Sequence, residues 1–277
     1  MALKATYSSS DQYYCDKFDT SLVSSLSLFL FQRHYFLFAK DANGRVAAVH
    51  QQGFSDLSEL QTRLKEDKIL RFDIPRKVFT YGESFSLVPG MVFDSSLLSV
   101  YLFFAEKPKE DEKTFQTNLE SNALHLVGSI SQEIAGVLQT QSSDTSFHHG
   151  ASCFLSYALK EKFNLIDQEI LLLLHQGFFY LAAFSKQELL LFNRFEAENR
   201  EGLLRYTMGI LQQLGFSRNH CRISMYGNTV GFDIDKVWAA QYFKNFRIST
   251  PHPNVQYLEG PDGFQNPNIF ESYWELP

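Results

Sequence analysis

A mixed α/β fold made of two similar halves is what this sequence predicts, and three observations carry the prediction. Each half reads strand-strand-strand-helix-strand-helix-strand. Sliding the chain by 143 residues puts Leu28 on Leu171, Leu30 on Leu173, Phe36 on Phe179 and Ala39 on Ala182 without a gap, and sliding it by 145 puts Tyr81-Gly82 on Tyr226-Gly227. Runs such as 170–174 are apolar at every position, the pattern of strands buried on both faces.

The elements of the first half are read in order. Residues 1–20 are polar and form a loose lead-in. Segments 25–31 and 35–39 are strands, and 41–44 is a turn, because Asn43-Gly44 accepts the positive φ of a tight hairpin. Segment 45–50 is the third strand. Segment 55–65 is a helix: Asp56 and Glu59 have capping-box spacing, and Leu57, Leu60 and Leu64 share a face. A fourth strand, 77–82, precedes an extended segment 85–93 broken by Pro89-Gly90, then a helix at 95–104. The charge run 106–113 reads as a solvated loop. Segment 123–128 is a strand, 131–138 a short helix, 139–146 a polar loop and 151–163 the helix that leads into the second half.

The second half repeats the order. Strand 169–174, the turn His175-Gln176-Gly177, strand 178–184, the turn Lys186-Gln187 and strand 189–195 form a meander. Helix 199–214 turns Leu203, Thr207, Ile210, Leu211 and Leu214 inward and ends at Gly215, where a C′ glycine belongs. Strand 222–227, helix 234–243 and a last strand at 247–250 complete it. Three meandering strands followed by two helix crossovers make a mixed five-stranded sheet covered by helices. That unit is the ribonuclease H-like module, and two in tandem make the actin-like ATPase architecture. The division is 1–150, 151–250, and a tail 251–277 rich in Pro, Asn and Gly that carries Tyr257, Phe264, Phe270, Tyr273 and Trp274. The tail either wraps back over its own domain or anchors Phe270–Trp274 in a partner.

Composition excludes several classes. The chain has 277 residues, 44% hydrophobic and 20% charged, with 27 Phe, which supplies a packed core and rules out a disordered chain. A formal charge of −6 argues against nucleic-acid binding, which needs clustered Lys and Arg. Cys15, Cys153 and Cys221 are too few and too scattered for a disulfide framework or a zinc cluster. The first ten residues lack the apolar core of a signal peptide. The longest apolar stretch, 170–184, is interrupted at 175–177 and falls short of the roughly 18 residues of a membrane helix. A cytoplasmic protein without a membrane partner is the expectation.

Several residue patterns resemble a known family. Phe85-Ser-Leu-Val-Pro-Gly-Met-Val-Phe93, Leu190-Leu-Phe-Asn-Arg-Phe195, Glu201 to Tyr206 followed by Gln213-Leu-Gly215, and Met225-Tyr-Gly227 resemble the packing and turn signatures of a Bacteroidota domain family of unknown function. The resemblance covers roughly residues 20–250 and implies an actin-like ATPase fold. Actin-like ATPases resemble one another in the hairpin after the first strand of each half, which carries an acid for the metal and glycines for the phosphates, and in a glycine pair that supports the adenosine.

The corresponding positions here depart from that pattern. The first hairpin is Gln32-Arg33-His34 and the second His175-Gln176-Gly177, neither with an acid, and the adenosine position is Gly227-Asn228, with one glycine of two. Gly177, Gly227 and Asn228 are therefore the cofactor-binding candidates if a nucleotide binds. Arg33 and His34 are exposed turn residues or direct anion contacts. No cofactor is expected, with ATP and magnesium as the alternative.

No catalytic residue and no metal ligand is assigned. Segment 25–31 lacks the aspartate that a two-metal nuclease needs, Glu169 alone is a weak substitute, and GxxxxGK[ST], GxGxxG, HExxH and GxSxG are all absent. His148-His149 beside Cys153 reads as a strand-to-helix junction, Cys221 as a small core residue, and Tyr81 and Tyr226 as strand-end packing. Asn193 reads as a buried amide bonded across the junction between the halves. The functional expectation is a non-catalytic actin-like module that binds or scaffolds a protein partner. The alternatives are an atypical nucleotide-binding protein, of ATPase or kinase type, and a self-associating subunit.

Overall fold

The computed structural model describes residues 10–106 and 111–277. The described chain divides into two compact units: residues 10–152 with 255–264, and residues 153–254 with 265–277.

In the first unit, β1 (Asp11–Tyr14), β2 (Ser25–Leu30), β3 (His34–Lys40) and β4 (Val46–Gly53) precede α1 (Leu57–Glu66) and β5 (Arg76–Thr80). Then come β6 (Ser86–Pro89), α2 (Leu98–Phe103), β7 (Glu112–Leu119), β8 (Leu124–Ser131), α3 (Gln132–Gln141) and β9 (Thr145–His149). The main sheet has the order β1-β4-β3-β2-β5-β9, with β2, β5 and β9 parallel, while β6-β8-β7 form a separate antiparallel sheet. Sequence order places α2 and this small sheet between the first crossover strand and the second crossover helix. Its own core is Val88, Leu102 and Val127.

α4 (Ala151–Glu161) opens at the boundary between the units. In the second unit follow β10 (Gln168–His175), β11 (Phe178–Ser185), β12 (Glu188–Glu196), α5 (Arg200–Gln213), β13 (Arg222–Gly227), α6 (Lys236–Tyr242) and β14 (Asn245–Ile248). The sheet order is β12-β11-β10-β13-β14, the same as β4-β3-β2-β5-β9 in the first unit. The repeat read from the sequence is thus a repeat of topology, with one correction in the first unit: the helix read at 95–104 and the strand read at 123–128 belong to α2 and the small sheet, and the second crossover is made instead by α3 and β9.

Local chemistry explains the main elements. Asp56 caps α1 by accepting from the Glu59 N–H at 2.9 Å, and Glu59 returns to the Ser55 N–H at 2.7 Å. Asn199 caps α5 by accepting from the Gly202 N–H at 3.0 Å. Leu203, Thr207, Ile210 and Leu211 of α5 are buried, as their spacing predicts. Leu203, Ile210 and Leu211 pack with Ile170, Leu172 and Leu174 on one face of the second sheet. In the first unit Leu60 and Leu64 of α1, and Ile134 and Leu138 of α3, cover Leu28, Leu37 and Val78.

The opposite faces explain the tail. Phe264 packs edge-on against Phe36 and Phe38, at 5.1 and 5.6 Å between ring centres. In the second unit Phe270 and Trp274 pack against Tyr157 of α4, at 5.5 and 5.3 Å. Phe264, Phe270 and Trp274 are all buried. The tail wraps its own chain, and the reading of Phe270–Trp274 as an anchor for a partner is corrected by that burial.

Other expectations are also corrected. The lead-in is not loose throughout: Asp11–Tyr14 pairs antiparallel with β4, and the Tyr14 hydroxyl lies 2.7 Å from His50 Nε2, whose Nδ1 lies 2.7 Å from Asp67. The first main sheet therefore has six strands and not five. Residues 1–9 lie outside the described residues, as do Lys107–Glu110 of the charge run. From Glu112 that run is strand β7, because its Phe115, Thr117 and Leu119 turn inward at period two. Within the supposed polar loop, α3 runs to Gln141 and β9 starts at Thr145. Asn193 is exposed on the edge strand β12, where its Oδ1 accepts from the Arg194 N–H at 2.8 Å, so no buried partner is required.

Candidate functional site

The hairpin between β2 and β3 occupies the first position at which the resemblance implies a phosphate loop. Its Phe31 N–H donates to the His34 carbonyl at 2.9 Å, so that donor is used inside the turn. The Phe31 ring stacks on His34 at 4.5 Å and on Tyr81 at 4.0 Å. All three rings are buried, and Tyr81 packs at its strand end as expected. Burial pushes the His34 imidazole down to about 4, so it is neutral at physiological pH. His34 is thus packed in a ring stack and is not an exposed turn cation.

A pH prediction follows. The unfolded imidazole takes up a proton below about 6.5 and the folded one only below about 4, so stability is full above 6.5 and falls as the pH drops through that window. The loss reaches up to about 3 kcal/mol near pH 4. The check is urea unfolding at stepped pH, in which His34→Leu is expected to remove most of the slope.

The second hairpin is the two-residue turn Gln176-Gly177 closing β10 and β11, with Gly177 at φ +84°. Its His175 ring stacks on Phe178 at 4.8 Å and lies 3.8 Å from the buried Glu271 carboxylate. Gly227 ends β13 beside Leu174, and the Asn228 N–H donates to the Leu174 carbonyl at 2.9 Å. Gly227, Asn228 and Gly177 are therefore gathered at one end of the second sheet. Gly227 has φ +77°, and a Cβ there would sit 2.5 Å from the Leu174 oxygen, so the strand approach itself demands glycine. Asn228 Oδ1 accepts from the Gly231 N–H at 2.9 Å. A cavity of about 660 Å³ opens beside Gly227, lined also by Tyr157, Glu161, Tyr226, Thr229 and Arg247.

Glu169, a weak metal-ligand candidate in the sequence, is fully buried in an ion pair. Arg222 donates to it from Nε at 2.9 Å and Nη2 at 2.5 Å, and the Ser224 hydroxyl donates at 2.6 Å. Burial, with Glu169 nearby, pushes the Cys221 thiol up to about 12, as befits a core residue. His148 and His149 are adjacent strand residues and diverge. His148 Nδ1 lies 3.1 Å from the Thr117 hydroxyl, and His149 Nε2 lies 3.2 Å from the Gly82 carbonyl. Among the described residues no group of three His, Cys, Asp or Glu is placed to hold a metal ion. Nor is any described helix long and apolar enough to cross a membrane.

The first unit contains a groove that sequence reading missed. Its cavity, about 430 Å³, runs from the end of β2 and the start of α1 to α2 and the end of β8. Phe31, Phe54, Leu57, Leu60, Leu102 and Ile134 supply its apolar wall. Among the described residues, Asp56, Glu83, Glu106 and Glu112 are the charged side chains that line it. Glu83 accepts from Gln32 at 3.2 Å, Glu112 from Ser129 at 2.8 Å, and Glu106 from Ser84. The one sequence signal was acidic residues without a cation four positions away. Only the fold brings positions 56, 83, 106 and 112 to one place.

Comparison with known proteins places this geometry. The first relative is a protein with an actin-like ATPase fold and unknown function from Bacteroides thetaiotaomicron, at 15% identity. It superposes with a TM-score of 0.74 over 84% of this chain and 93% of its own. The type IV pilus biogenesis complex PilM–PilN gives a TM-score of 0.58 at 12% identity, over 91% of this chain and 97% of that one. No curated protein matches the sequence. These likenesses establish the actin-like ATPase fold. A family model described as a protein of unknown function, DUF3822, matches residues 24–246. With most of its length inside that match, and with the doubled sheet order just described, the chain belongs to the DUF3822 family.

Proposed function

We propose that this protein is a non-catalytic actin-like module that binds a protein partner. The observation that carries this reading is the hairpin at the end of β2. Where the fold's ATPases resemble one another in an acid and phosphate-cradling glycines, this chain packs the Tyr81–Phe31–His34 ring stack. A neutral imidazole stacked on an aromatic ring offers neither a carboxylate for magnesium nor a cation for phosphate. The second hairpin also lacks an acid. One related fold, PilM, is named in a complex with a protein partner, which is consistent with this role.

A second reading, atypical nucleotide binding, draws on one observation. The cavity beside Gly227 is large enough for a small molecule and is lined by Arg247 and three tyrosines, Tyr157, Tyr226 and Tyr273. Thermal unfolding with and without magnesium plus ATP, ADP or GTP separates the two. A nucleotide at about 100 times its dissociation constant would add about 2.7 kcal/mol, a shift of several degrees. No shift is the expected result. A clear upward shift that Gly227→Val or Asn228→Ala abolishes would overturn the proposal in favour of the nucleotide reading. Affinity capture with the tagged full chain tests the protein-binding half directly: recovery of no specific partner counts against it.

A further inference from the structure

We infer that the groove in the first unit takes a short apolar peptide segment of a partner protein flanked by lysine or arginine; this rests on the protein-binding reading above. The first argument is shape and apolarity. A cavity of about 430 Å³ lies within the range of specific ligand sites. Leu57, on its wall, is 43% exposed, although it opens a helix whose Leu60 and Leu64 are buried. Leu102 faces the groove from α2, and the next two residues, Phe103 and Phe104, are 61% and 83% exposed. Neighbouring large apolar side chains held in water mark a contact surface and not a monomer's ordinary scatter.

The second argument is charge. Among the described residues every charged side chain lining the groove is a carboxylate: Asp56, Glu83, Glu106 and Glu112. Asp56 accepts from the Glu59 N–H, Glu83 from the Gln32 amide and Glu106 from the Ser84 hydroxyl, all neutral donors. A wholly apolar occupant would strip water from these carboxylates without compensation. A cationic flank replaces the lost water with opposite charge and also steers the encounter. An acidic or polyanionic partner is repelled by the same four groups.

The test uses the full chain and a displayed library of random twelve-residue peptides. Peptides enriched for Leu, Ile or Phe beside Lys or Arg are expected. Their affinity, read by fluorescence anisotropy on the synthesised peptide, is expected to weaken about tenfold or more in Glu83→Lys and in Leu57→Ser. Raising NaCl from about 50 to 500 mM is expected to weaken it as well. Glu188→Lys, on exposed β12 of the second unit, serves as the control and should leave binding unchanged. Unchanged thermal midpoints in all three variants exclude unfolding as the cause. An enriched set that is acidic, or no enrichment at all, overturns the inference. So does a basic apolar peptide indifferent to Glu83→Lys and Leu57→Ser, although that result leaves the protein-binding reading intact, and failed partner capture would remove the broader reading instead.

Discussion

Arg222→Met is expected to destabilise the protein by about 3–5 kcal/mol, more than removal of the acid it pairs with. The asymmetry follows from burial. The Glu169 side chain has no exposed surface, whereas that of Arg222 keeps 23% of its own. Removing the arginine strands a carboxylate in the interior with the Ser224 hydroxyl at 2.6 Å, the Ile166 N–H at 3.2 Å and Arg247 at 3.4 Å. Removing the carboxylate frees two arginines that reach water. Glu169→Gln should therefore cost less, about 1–3 kcal/mol. Replacing both partners, as Glu169→Gln with Arg222→Met, should recover part of the loss, because the interior then holds no unpaired charge. Denaturant midpoints of the four chains measure the cycle. A double variant as unstable as the sum of the singles would show that the pair contributes nothing as a pair.

The second large effect is expected at Trp274, only three residues from the end of the chain. Trp274→Ala should cost about 3–5 kcal/mol, the usual range for deleting a buried tryptophan. Its ring is 1% exposed and packs edge-on against Tyr157, 5.3 Å between centres. Its Nε1 donates to the Ser156 hydroxyl at 3.1 Å, and Lys160 Nζ sits 4.6 Å from the ring centre. The three contacts come from one face of α4, so the variant loosens the helix that covers one side of the second sheet. The same denaturant series reads the effect. An unchanged midpoint would restore the view that the tail's aromatics serve a partner rather than the core.

The candidate site was legible to very different degrees. The hairpin residues 32–34 and 175–177 were visible as positions lacking an acid, because element order locates them. That His34 stacks on Phe31 and loses its proton affinity could not be read, since it depends on Tyr81 arriving from the end of another strand. Gly227 stood out as a glycine at a strand end. Its reason, a Cβ that would overlap the Leu174 carbonyl, belongs to the parallel pairing of β10 with β13. The groove was not legible at all, and Glu106 had been assigned to a solvated charge run.

By itself the sequence determined the meander-then-crossover order in each half, and through it the strand order of the second sheet and of β4-β3-β2-β5 in the first. Local signals suffice for that: continuous apolar runs, Asn-Gly and Gln-Gly turns, and caps at Asp56 and Asn199 are interactions within a few residues. Tertiary structure alone decided where weakly patterned segments go. β1, β7 and β9 are short or polar strands that gain their definition from the neighbour they pair with, β4, β8 and β5 respectively. It also decided that the aromatic tail is core, and that four carboxylates distant in sequence share one apolar groove. Burial and charge proximity are properties of surfaces that meet only after folding, and no spacing along the chain encodes them.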